Sequence, residues 1–139
     1  MKSIIAMSFE NCFYYVMNKK NTDYAIISIQ DFKSRGFGLD FMVTERCKDV
    51  LTLCFDDVLS DEEGYCFTEY EAKYIIEFVK KNLKVSTLVI HCFGGNSRSQ
   101  AVKHAVSECL GFPPQPHPWM MNPWVYETIK KVWNKKTPE

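Results

Sequence analysis

Cys92 and Arg98 enclose five residues, Phe93, Gly94, Gly95, Asn96 and Ser97, and Ser99 follows directly. A thiol, a guanidinium and a hydroxyl at this spacing suit nucleophilic attack on a bound oxyanion. Backbone N–H groups of a short glycine-bearing loop can all turn inward, and a helix starting at the loop's far end adds its positive dipole end. A cysteine at the mouth of such a loop lies in an electropositive environment that favours the reactive thiolate over the thiol. The arginine beyond the loop can return to bind two oxygens of a tetrahedral dianion at once. The loop length is what lets the sulfur sit beneath phosphorus and the guanidinium at its side.

That chemistry needs a strand before the loop and a helix after it. Residues 87–91 are apolar in nearly every position and read as the strand. A helix opens at the end of the loop and runs to Leu110, where Gly111 and the following prolines stop it. Upstream, residues 3–7 read as a first short strand, and Ser8 caps a helix that carries Glu10 in its first turn and runs to about Lys19. Residues 24–29 are apolar on both faces, as a buried parallel strand requires, and residues 50–55 read as another buried strand ending at Asp56-Asp57. The segment 30–39, with Asp31, Ser34, Gly36 and Gly38, reads as a loop, as does the polar stretch 58–67. Thr68-Glu69-Tyr70-Glu71 is a capping box for a helix to about Leu83, with Ala72, Ile75, Ile76 and Val79 on one face. Asn122-Pro123 opens a last helix to about Lys135, and the proline-rich stretch 113–118 is a turn between helices. Strands alternate with helices throughout, so the expected fold class is α/β, a central mostly parallel sheet flanked by helices, forming one domain over residues 1–139.

His91-Cys92-x-x-Gly95-x-Ser97-Arg98-Ser99 resembles the signature of the cysteine-dependent protein tyrosine phosphatases, and is most similar to the compact dual-specificity type and its small prokaryotic relatives. The order of elements matches over most of the chain. Low-molecular-weight tyrosine phosphatases carry their loop near the N-terminus, whereas here it lies about two thirds along. The resemblance implies hydrolysis of a phosphate monoester in two steps. Cys92 attacks phosphorus to form a cysteinyl-phosphate while an aspartic acid protonates the leaving oxygen; water then hydrolyses the intermediate with the same aspartate as base. It implies that Phe93, Gly94, Gly95, Asn96, Ser97 and Arg98 bind the phosphate. Ser99 stabilises the departing thiolate, and His91 orients the loop and supports the thiolate without touching substrate. The acid belongs at the end of the strand before the long helix that precedes the nucleophile. Asp57 fits that place best, with Asp56 and Asp61 as alternatives.

The remaining composition narrows the partners. Lysine plus arginine equals aspartate plus glutamate at 17 each, so bulk charge does not favour nucleic acid. No stretch is long and apolar enough to span a bilayer, the N-terminus lacks a secretory pattern, and the expected location is cytoplasmic. The resemblance implies a phosphorylated protein or peptide as substrate, with phosphotyrosine favoured because lipid-directed members of the family tend to carry basic residues in the loop, where Phe93, Gly94, Gly95 and Asn96 are uncharged here. A non-protein ester such as a phosphoinositide and a catalytically weak phosphate-binding module stand as alternatives; a rhodanese-type sulfur transferase fits the loop poorly. No cofactor is implied and no metal site is expected, since His104 and His117 read as packed or surface histidines with no other His or Cys at ligand spacing near either. The six cysteines show no Cys-x-x-Cys pair and mostly sit in apolar runs, as small buried hydrophobes. Asn96 is expected to take a left-handed backbone conformation, Arg35 to lie in solvent near the entrance, and Trp119, Trp124, Tyr126 and Trp133 to pack in the core and between helices.

Overall fold

A computed structural model describes residues 1–32, 40–61 and 65–135. The described elements run β1 (Ser3–Ser8), α1 (Phe9–Met17), β2 (Tyr24–Gln30), β3 (Cys47–Cys54), α2 (Glu69–Lys81), β4 (Thr87–Cys92), α3 (Arg98–Cys109) and α4 (Pro123–Trp133). The four strands form one sheet in the order β1-β4-β2-β3, every pair parallel. The α/β architecture with a parallel central sheet is therefore as the alternation of apolar runs and capped helices implies.

The period of two along each strand sorts side chains onto the two faces. Ala25, Ile27 and Ile29 of β2 and Leu88, Ile90 and Cys92 of β4 enter the larger core, under α2, α3 and α4. Tyr24, Ile26 and Val89 enter a smaller core on the opposite face, with Cys12 of α1 and Phe41. Local chemistry fixes where the helices begin. Ser8 Oγ accepts the Asn11 amide at 3.1 Å, Thr68 and Glu71 close the capping box, and Asn122 Oδ1 accepts the Val125 amide at 3.1 Å with Pro123 in the first turn. Gly111 follows the end of α3 with φ +84°, a conformation that favours glycine.

Four expectations change. Residues 50–55 are not a doubly buried strand: β3 starts at Cys47, lies at the sheet edge and exposes Thr52 and Cys54. The cysteines divide accordingly, with Cys12, Cys47 and Cys92 buried, Cys54 exposed and Cys66 and Cys109 between. Trp119 is 90% exposed, whereas Trp124 and Tyr126 pack against the larger core. α1 ends at Met17, where Asn18 takes an extended conformation, so Lys19 lies beyond it. Arg35 and much of the 30–39 loop fall outside the described residues. No helix among the described residues is long and apolar enough to cross a membrane.

Candidate active site

Because the strands are parallel, their C-terminal ends share one edge of the sheet, and each delivers a part there. β4 ends in Cys92, β2 runs into Asp31, β3 into Phe55, Asp56 and Asp57, and β1 ends at Ser8, in register with Cys92. The loop from Cys92 to α3 is packed tightly against the β1–α1 junction. Gly95 has φ +78°, and a Cβ there would lie 2.5 Å from the Ser8 amide nitrogen and 2.6 Å from the Met7 carbonyl carbon. Both neighbours are backbone, so the position admits only glycine. The left-handed residue of the loop is thus Gly95; Asn96 has no positive φ, correcting the expectation for it.

This turn aims donors at the sulfur. The Gly95 amide donates to Cys92 Sγ at 3.2 Å, and the Ser99 hydroxyl, on the first turn of α3, lies 3.1 Å from it. Both contacts stabilise negative charge on sulfur. From outside, Gln100 Nε2 donates to the Gly95 carbonyl at 3.0 Å and the Phe9 amide to the Phe93 carbonyl at 3.3 Å, which holds the curl of the loop.

His91 is fully buried on the α1 face, between the rings of Phe9 and Phe41. Desolvation, with a smaller push from the Arg98 charge, lowers its pKa to about 4, against the opposing contact with the Cys92 carbonyl. The ring is therefore neutral near pH 7. Its Nδ1 lies 3.3 Å from the Cys92 carbonyl, which can only accept, so Nδ1 carries the proton and Nε2 accepts from the Ser28 hydroxyl at 2.6 Å. A neutral histidine here anchors the nucleophile's backbone, and its own charge contributes nothing to the sulfur.

Arg98 is 5% exposed. Its Nη1 donates to the Phe55 carbonyl at 2.8 Å and to Asp31 Oδ1 at 2.5 Å. Nε is buried and has no hydrogen-bond partner among the described residues. One corner of the fork is thus committed to the protein, leaving the Nε edge for a ligand.

Asp57 is exposed at the rim, and its Oδ1 accepts from Ser97 Oγ at 2.9 Å and from Asn122 Nδ2 at 2.7 Å. Together with Cys92, Arg98, Ser97 and Asp31 it lines a pocket of about 310 Å³, which Phe93, Gly94, Asn96 and Met120 complete. The two alternative carboxylates lie elsewhere. Asp56 is buried and accepts the Phe32 and Tyr65 amides at 3.1 and 3.2 Å, tying two loops together. Asp61 lines a different cavity, with Phe67 and Trp124.

Three residues of this site escape a sequence reading. Asn122 reads only as a helix cap, Asp31 as a loop residue, and Met120 carries no signal at all. Asp31 alone had a usable sign, a carboxylate immediately after a buried parallel strand, at the edge where α/β proteins gather ligands.

No protein-family model and no curated protein matches the sequence. Solved structures do. A structure of Tk-PTP in the active form aligns with 98% of this chain and 94% of its own, at 16% identity and a TM-score of 0.58. One of PTPMT1 in complex with PI(5)P aligns with 92% of this chain and 86% of its own, at 17% identity and a TM-score of 0.55. A second PTPMT1 structure covers 94% of this chain and 89% of its own, at 15% identity and a TM-score of 0.54.

The fold is that of the compact protein tyrosine phosphatases.

Within this tyrosine phosphatase fold, exposed apolar side chains stand at the mouth of the pocket. Phe93 is 65% exposed on the loop itself, and Met120, half-exposed, reaches the pocket from the segment before α4. The exposed rings of Phe32 and Tyr65 meet at a tilt of 30° with centroids 3.4 Å apart, on the two loops that Asp56 ties together.

Proposed function

We propose that this chain hydrolyses phosphate monoesters through a cysteinyl-phosphate, with an aryl phosphate, phosphotyrosine in a protein or peptide, as the favoured substrate. The observation that carries the reading is that Cys92, Arg98 and Asp57 line one pocket, and that Arg98 Nε has no hydrogen-bond partner among the described residues. Loop amides and the start of α3 hold the phosphate oxygens, and Arg98 takes two of them bidentately. Sγ attacks phosphorus in line, the P–O bond to the leaving group breaks, and Asp57 gives its proton to the departing oxygen. In the second step Asp57 takes a proton from water as the water oxygen attacks phosphorus. The P–S bond breaks, and Gly95 N–H and Ser99 Oγ receive the thiolate. The geometry favours Asp57 over Asp56 and Asp61, the first committed to two backbone amides and the second in another cavity.

A phosphoinositide is the second reading, favoured by the likeness to PTPMT1, of which one structure is a complex with PI(5)P. Against it, the loop positions 93–97 carry no cationic side chain to meet a second phosphate. The test is turnover of p-nitrophenyl phosphate, a phosphotyrosine peptide and PI(5)P by wild type and by Cys92→Ser. Activity on the aryl esters that is absent from Cys92→Ser supports the reading. An inactive wild type, or an active Cys92→Ser, overturns it, and preference for PI(5)P selects the second substrate class.

A further inference from the structure

On the side of α3 that faces residues 113–117, two histidines far apart in sequence meet. The rings of His104 and His117 lie with centroids 5.1 Å apart, and Glu108 stands one helical turn beyond His104 on the same face. A nitrogen of each ring and a carboxylate oxygen of Glu108 all lie within 4.8 Å of one another. We propose that His104, Glu108 and His117 form a binding site for one divalent cation of the zinc class.

The arrangement has the parts of a tetrahedral nitrogen–oxygen site. Metal–ligand distances of about 2.0–2.1 Å put neighbouring donors roughly 3.3 Å apart. His117 Nε2 now sits 2.6 Å from Glu108 Oε2, so the cation takes the place of that contact with a small opening of the pair and an inward turn of the third donor. His117 is exposed on its turn and can supply the movement. His104 is 5% exposed, and its ring makes no hydrogen bond among the described residues, leaving its donors uncommitted. Three protein ligands leave a fourth position for water.

The surroundings of Glu108 are those of a ligating carboxylate. Oε1 accepts from Tyr126 Oη at 2.5 Å and Lys130 Nζ at 3.2 Å, while Oε2 faces His117. One oxygen is thus oriented by outer partners and the other presented to the site, the division that outer-shell contacts impose on metal ligands.

The site would act as a clip. His117 belongs to the segment between α3 and α4 that carries Met120 and Asn122 to the pocket, so a cation there ties that segment to α3.

The test is titration of the apo-protein with Co²⁺ followed by visible absorption, and of thermal unfolding with and without Zn²⁺. One equivalent with tetrahedral d–d bands and no thiolate charge-transfer band is expected, together with a raised Tm. His117→Ala, at an exposed position, should abolish both while keeping the far-ultraviolet circular dichroism of wild type. Tyr126→Phe should weaken Co²⁺ by roughly 10–100-fold, the cost of an outer-shell partner. Cys92→Ser should bind as wild type. No binding, binding that survives His117→Ala, or a thiolate band that vanishes in Cys92→Ser overturns the proposal.

Discussion

Asn122 Nδ2 donates to Asp57 Oδ1 at 2.7 Å across 65 residues of sequence. The same side chain donates to the Val58 carbonyl and accepts the Val125 amide, and the Asn122 backbone amide donates to the Ser97 carbonyl at 3.3 Å. One buried residue therefore starts α4, pins the loop after β3 and touches the end of the anion loop. Asn122→Ala should lose the cap, at about 0.5–2 kcal/mol of stability. It should also let Asp57 wander. On the proposed mechanism kcat falls about 10-fold for p-nitrophenyl phosphate and further for phenyl phosphate, whose leaving group needs the proton more. Equal losses on both esters would mean that Asn122 serves stability alone.

The acid itself is tested through the same leaving-group dependence. Asp57→Asn should cost roughly 10²-fold or more in kcat with phenyl phosphate and less with a good leaving group. Asp61→Asn should change neither, since its carboxyl lines a separate cavity. The reverse outcome would move the role to Asp61.

Much of this was legible in the sequence, for identifiable reasons. Element order, Ser8, Thr68 and Asn122 as caps, and the loop between strand and helix all rest on local chemistry within a few residues. The edge position of β3 was not legible, because an apolar run says that a strand is covered without saying what covers each side. Trp119 is exposed for a related reason: residue type favours burial but does not say which side of its segment meets the core. The contacts of Asp31 and Asn122 span 67 and 65 residues, and no spacing rule reaches so far.

Asp31 can be separated into its charge and its hydrogen bond. Arg98 Nη1 is buried, and removing one acceptor leaves part of its donor capacity unmet, at about 1–3 kcal/mol. Asp31→Ala should therefore lower stability by about that amount, and it should weaken inorganic phosphate or vanadate binding to the extent that the guanidinium, no longer held by this acceptor, turns away from the pocket. Asp31→Asn retains an acceptor at the same place and should recover most of that loss. If Asp31→Ala binds as wild type, the Phe55 carbonyl alone suffices to aim the guanidinium.

The two loop glycines should respond in opposite ways. Gly94→Ala places its Cβ 3.7 Å from Asn96 Nδ2, an ordinary contact, and should leave folding and phosphate affinity near wild type. Gly95→Ala meets the backbone of Met7 and Ser8 and carries a positive φ. The conformation alone costs about 1–2 kcal/mol, and the collision adds to it by pushing the loop off β1. Loss of the Gly95 N–H contact with Cys92 Sγ follows, so slower alkylation of Cys92 by iodoacetate should accompany the lower stability. Equal alkylation rates in the two variants would show that the contact does not govern the reactivity of the thiol.

Buried neutral His91 gives stability a definite pH dependence. Its folded-state pKa is lowered to about 4 from the ordinary 6.5 of a free histidine, so the unfolded chain takes up a proton more readily than the folded one. Stability is then fully present above about pH 6.5 and falls as the pH drops through the window from 6.5 to 4. The lost contribution is about 3 kcal/mol at the bottom of that window, from 1.36 kcal/mol per unit. His104, also shifted downward by burial and by Lys103, acts in the same direction. Urea unfolding at a series of pH values should show this slope, and His91→Gln, less stable at pH 7.5 for losing the fit between Phe9 and Phe41, should flatten it. A variant with the wild-type slope would place the proton uptake on another group.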